Sequence, residues 1–95
     1  MNMMTDEQDF NRMQWASRRG LLELDLLLAP FVEVCYRTLD ETDKTNFRRL
    51  VAEQDQDIMN WIMGRECVPD QSLDTIIQKI RAHNDAKLKQ DLSMD

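Results

Sequence analysis

Apolar residues recur at helical spacing along most of this chain, and their pattern divides it into five segments. Repeats at i, i+3 and i+4 mark one face of an α-helix, whereas strands alternate every second residue. The first segment runs from about Asp6 to Arg18. Phe10, Met13 and Ser17 share one face, Trp15 points elsewhere, and Gly20 interrupts the pattern. The second runs from about Leu21 to Leu39. Leu21, Leu24, Leu28, Phe31, Val32, Cys35 and Leu39 form one stripe, with Glu23, Leu26, Pro30, Glu33 and Arg37 on the opposite side. Pro30 removes a backbone donor, so it either bends this helix around the core or splits it in two.

The third segment opens at Asp40, a suitable N-cap, and buries Phe47, Leu50 and Val51. In the short fourth, Asp55 is expected to cap, Ile58, Trp61 and Ile62 to bury, and Gly64 to end the helix in the left-handed region. Cys67, Val68 and Pro69 make a loop, Asp70 caps the last helix, and Leu73, Ile76, Ile77 and Ile80 supply its seam. Beyond about His83 the pattern fades into a polar tail. The expected fold is all-α, a compact five-helix bundle with short loops.

Composition narrows this picture. The 95 residues make one domain, with a core over about 6–83, and with the first few residues and 84–95 frayed. Two Gly and two Pro leave few tight turns, which suits long helices better than a sheet. The net charge of −6 argues against nucleic acid or an anionic membrane as a general partner, because phosphate binding rests on cationic excess. No run approaches 18 consecutive apolar residues, so no insertion into a membrane is expected. The acidic start resembles neither a secretory signal nor a transit peptide. Two cysteines are too few for a disulfide framework, so a cytoplasmic setting is expected. So polar an exterior suits a monomer.

Catalytic chemistry finds no footing. Neither GxGxxG nor GxxxxGK[ST] is present, so no phosphate cradle is expected, and one histidine with no CxxC gives no metal motif. His83 reads as a surface histidine, Cys35 as core, and Cys67 as an exposed loop thiol of incidental role. The chain is expected not to be an enzyme.

Trp15, Arg18, Arg19, Gly20 and Glu23 stand apart from this plain helical chemistry. Each has a structural explanation: Gly20 caps a helix, Glu23 offsets the second helix's dipole, the arginines suit the first helix's C-terminus, and Trp15 packs under a loop. Together they form a local reversal of sign on an acidic chain. Trp and Arg are also frequent anchors of protein interfaces. Leu22 and Leu26, off the core stripe, either extend such an interface or pack under the first helix.

Arg19-Gly20-Leu21-Leu22-Glu23 resembles the RGxxE signature of the SdhE-like family, the FAD assembly factors of succinate dehydrogenase. A second block, Asp55-Gln56-Asp57-Ile58-Met59-Asn60-Trp61-Ile62-Met63, is similar to that family's acidic-then-apolar segment ending in Trp. The likeness spans roughly Arg12 to Arg81. It implies a chaperone-like factor that docks on the flavoprotein subunit and promotes covalent attachment of the client's FAD, without stably holding flavin itself. Related fumarate reductase flavoproteins are further expected clients. Arg19, Gly20 and Glu23 inherit the motif, with Trp15 and Arg18 widening the patch. The resemblance leaves open a second role, because members of the family are also described as antitoxins of a small membrane toxin.

Overall fold

Four of the five helices of the computed structural model, which describes residues 5–93 and side chains as far as residue 86, start or stop at an identifiable polar device. Helix α1 (Asp6–Ala16) opens on a capping box: Thr5 Oγ1 accepts from the Gln8 amide, and the Gln8 side chain accepts from the Thr5 amide, both at 3.1 Å. Phe10, Met13 and Ser17 are buried as the periodicity requires, and the Ser17 hydroxyl donates to the Met13 carbonyl at 2.8 Å.

Helix α2 (Leu22–Cys35) buries Leu24, Leu28, Phe31 and Val32, then tightens into a 3-10 turn over Tyr36–Thr38. Pro30 lies within it and does not split it; the residue is half-buried rather than fully outward. Helix α3 (Glu41–Leu50) is capped by Asp40, whose carboxylate accepts from the Asp43 amide at 2.8 Å. Helix α4 (Asp55–Ile62) ends as expected on Gly64, at φ +74°. The Arg65 amide reaches back to the Asn60 carbonyl and the Gly64 amide to Trp61, a Schellman closure. Arg81 then donates to the Trp61 and Ile62 carbonyls, so the C-terminal acceptors of α4 are occupied.

Helix α5 (Gln71–Ser93) packs against α2, α3 and α4 through Leu73, Ile76, Ile77 and Ile80. It follows Asp70, whose carboxylate accepts from the Ser72 amide as the expected cap. Phe31, Phe47 and Tyr36 form the aromatic centre, with ring centroids 5.9 Å apart for Phe31–Phe47 and 5.6 Å for Tyr36–Phe47. The result is the expected all-α five-helix fold, with no strand among the described residues.

Three expectations need correction. Asp55 does not cap α4: Gln54 holds that position, because the Asp55 carboxylate is turned to Arg19. The helix does not stop where the apolar seam fades near His83 but continues to Ser93. Residues 84–93 contain neither Gly nor Pro, so losing the seam ends core burial without ending the helix. His83 itself is half-buried between α2 and α5. Its ring meets Phe31 edge-on at 5.8 Å, and its Nδ1 lies 3.5 Å from Cys35 Sγ.

Periodicity gave no hint of a buried polar knot. Asp9 accepts from the Tyr36 hydroxyl at 2.6 Å and from Arg48 at 3.0 and 3.1 Å. Burial pushes the Asp9 carboxyl up, but the hydrogen bonds from Arg48 and Tyr36 outweigh it, and the net pKa falls below the ordinary value. A carboxyl with a lower pKa folded than unfolded adds stability above its unfolded pKa and loses it as pH falls through the folded one. Asp9→Asn is therefore expected to flatten the loss of urea resistance between pH 7 and pH 2.5 relative to wild type. Tyr36→Phe, which removes one donor to a charged acceptor, should cost about 1–2 kcal/mol at pH 7, read by urea denaturation.

Candidate functional site

The connection from α1 to α2 carries Arg18, Arg19 and Gly20, with Trp15 in the last turn of α1 and Glu23 in the first turn of α2, and Arg19 shapes it. The Arg19 amide donates to Asp25 at 2.6 Å, which folds the turn against the first turn of α2. Its guanidinium faces inward. Nε donates to Asp55 Oδ1 at 2.7 Å, Nη1 to the Ala16 and Val51 carbonyls, and Nη2 to the Glu53 carbonyl at 2.8 Å. The side chain is 17% exposed, and four of its donors are spent on its own chain. The expectation that Arg19 reaches out to a partner is thus not what the structure shows. Arg19 instead ties the end of α1, the α3–α4 connection and the start of α4 into one unit.

Gly20 has φ +81°, a conformation that penalises any residue with a Cβ. A Cβ built there would meet nothing within 4 Å, so the backbone conformation, and not internal crowding, calls for glycine. The turn consequently presents bare backbone to the outside. Arg18 and Glu23 flank it, both exposed and without an ion pair among the described residues.

Trp15 does not pack under a loop: it is 79% exposed. Together with Asn11, Gln14 and Arg18 it faces Ala29 and Glu33 across an open groove between α1 and α2. Leu22 and Leu26, at 71% and 61% exposure, continue the same face of α2. Of the two alternatives for these leucines, packing under α1 is ruled out. Trp15, Arg18, Gly20 and Glu23 are all exposed, Trp15 and Arg18 line one groove, and Arg19 alone of the five is turned inward.

Pattern reading missed the link between the two sequence blocks. Arg19 belongs to one and Asp55 to the other, and their ion pair joins them across 36 positions. The signal that could have found it was the charge opposition between the two blocks. A second concavity, beside Cys35 and His83, offers less chemistry: burial pushes the Cys35 thiol up, which keeps it protonated and a poor nucleophile. No group of three or more His, Cys, Asp or Glu among the described residues is arranged to hold a metal ion.

Fold and site together define a class: a small five-helix domain whose distinctive chemistry is an exposed Trp, Arg, Gly and Glu surface braced from within. A family model described as flavinator of succinate dehydrogenase matches residues 11–84, and this chain belongs to that family. It is 44% identical over 77 residues to the FAD assembly factor SdhE of Pseudomonas aeruginosa, covering 81% of this chain and 92% of that one. To the FAD assembly factor SdhE of Vibrio cholerae it is 39% identical over 87 residues, covering 92% and 100%. The solution structure of a UPF0350 protein superposes with a TM-score of 0.74 at 35% identity, covering 98% of each chain.

Arg19→Ala is expected to lower folding stability by about 2–3 kcal/mol, since it strands Asp55 and three carbonyls. Arg18→Ala should change it by less than about 0.5 kcal/mol. Guanidinium denaturation of the two variants separates these roles.

Proposed function

We propose that this protein promotes covalent attachment of FAD to the flavoprotein subunit of succinate dehydrogenase in the cytoplasm, docking on it through the surface around Gly20 and Glu23. The observation that carries the reading is a turn with bare backbone at Gly20, flanked by unpaired Arg18 and Glu23 and held rigid by Arg19. Membership of the flavinator family and similarity to FAD assembly factors support it.

The start of α2 does not suit a flavin pyrophosphate. The glycine turn leads into α2, but Glu23 and Asp25 stand in that helix's first turn, where a pyrophosphate would meet two carboxylates. On this reading bond formation belongs to the client, and the work of this chain is conformational. Attachment requires the client's nucleophile and the flavin to be held within reach of each other, which proximity and orientation supply. A factor that binds one client conformer better than others raises its population by that differential affinity. A rigid surface is suited to this, because little ordering entropy is lost on docking. Glu23 and Arg18 supply charge-assisted contacts, and Gly20 admits close approach. Fumarate reductase flavoproteins are further clients on the same reading.

The test is covalent flavin on a co-expressed succinate dehydrogenase flavoprotein, read as fluorescence after denaturing electrophoresis in a host lacking its own factor. Wild-type chain should restore the signal. Glu23→Ala, and Gly20→Asn, which keeps a side chain tolerant of positive φ, should lower it at least fivefold with melting temperatures within a few degrees of wild type. An unchanged signal from a folded Glu23→Ala chain would remove Glu23 from the site.

A further inference from the structure

Leu22, Leu26, Ala29 and Glu33 fall at i, i+4, i+7 and i+11 on α2, so they form one stripe along a single face. The stripe spans about 16 Å, roughly three helical turns. Trp15 and Arg18 line the groove on its α1 side, with Ala29 and Glu33 opposite. Exposed apolar side chains are ordinary when they stand singly; three large ones beside one groove mark a binding surface. The groove is also charged asymmetrically, with Arg18 at the α1–α2 turn, four residues before Leu22, and Glu33 eleven residues beyond Leu22 near the other end of α2, neither in an ion pair among the described residues.

We propose that this groove receives an amphipathic helix of the flavoprotein client, with its apolar face on Trp15, Leu22 and Leu26, a carboxylate against Arg18 and a cationic side chain against Glu33. The inference rests on the proposed function and specifies how the client is held. Three observations select this occupant. A furrow between two packed helices is shaped for the ridge of a third. The α2 stripe that borders it is long enough for a helix anchored at i, i+4 and i+7. The charges then set direction: on a chain of net charge −6, an acidic group is repelled over most of the surface and accepted beside the unpaired Arg18. Reversing the helix would place acid against Glu33 and base against Arg18, so the same pair fixes register as well as orientation.

The experiment uses the full chain with the co-expressed succinate dehydrogenase flavoprotein. A photo-crosslinking side chain is placed at Leu26, or at Met63, which is also exposed but lies at the end of α4. Crosslinking from Leu26 should capture one client peptide with helical apolar spacing and an Asp or Glu at one end of its apolar face. Crosslinking from Met63 should not capture it. Leu22→Ser with Leu26→Ser, and separately Arg18→Glu, should each weaken client binding at least tenfold without lowering the melting temperature. Changing the captured acid to Lys should restore binding to the Arg18→Glu chain. Capture from Met63 alone, a captured segment without an acid, or undiminished binding by the folded variants would overturn the groove. If Glu23→Ala still abolishes flavinylation while these variants support it, the groove fails and the flavinylation reading stands. If flavin attachment does not depend on the chain at all, both fail.

Discussion

The Arg19 guanidinium sits where the end of α1, the α3–α4 connection and the start of α4 meet, and it donates to an acceptor from each. None of those acceptors has an easy substitute. Val51 and Glu53 offer carbonyls from a tight connection with few helical partners, and Ala16 offers one from a helix end. A planar fork with donors on three nitrogens can satisfy them together while pairing with Asp55, which a lysine ammonium cannot match. The α1–α2 turn is thereby fixed, and with it the position of everything on its outer side.

That arrangement separates support from contact within a five-residue motif. Arg19 points in, and Gly20 and Glu23 face out. The division follows from the backbone: positive φ at Gly20 reverses the chain between an inward side chain and the first turn of α2. The acidic block at Asp55 belongs to the same device, since its carboxylate anchors the motif's arginine instead of capping its own helix. Two stretches that look independent in sequence are thus one structural unit. Substitutions in either are expected to be felt at the same surface.

The interior has the same economy. Arg81 closes α4, Arg48 and Tyr36 hold Asp9, and Lys79 pairs with Asp43, so arginines and lysines of an acidic protein are used largely to join its helices. Among the described residues, the only cations that form no ion pair or internal side-chain hydrogen bond are Arg12, Arg18 and Arg65. The cation left unpaired at the groove, Arg18, gains weight for this reason: against a negative surface its field is local and directional.

The sequence by itself determined the helix count, most helix starts and the core. Those depend on local rules: 3.6-residue periodicity, side-chain caps at Asp40 and Asp70, and a left-handed Gly64, all readable within a few residues. The resemblance carried by the RGxxE and Asp55–Met63 blocks likewise identified the family. Tertiary structure alone decided that Arg19 is a brace, that Asp55 is its partner, and that His83 is half-buried. It also decided that α5 outlasts its apolar seam. Each of these is set by groups far apart in the chain or by helix-forming residues that need no core contact. A side chain's direction along the sequence does not reveal which distant carbonyl or carboxylate will meet it, because only packing of the helices brings those groups within hydrogen-bonding distance.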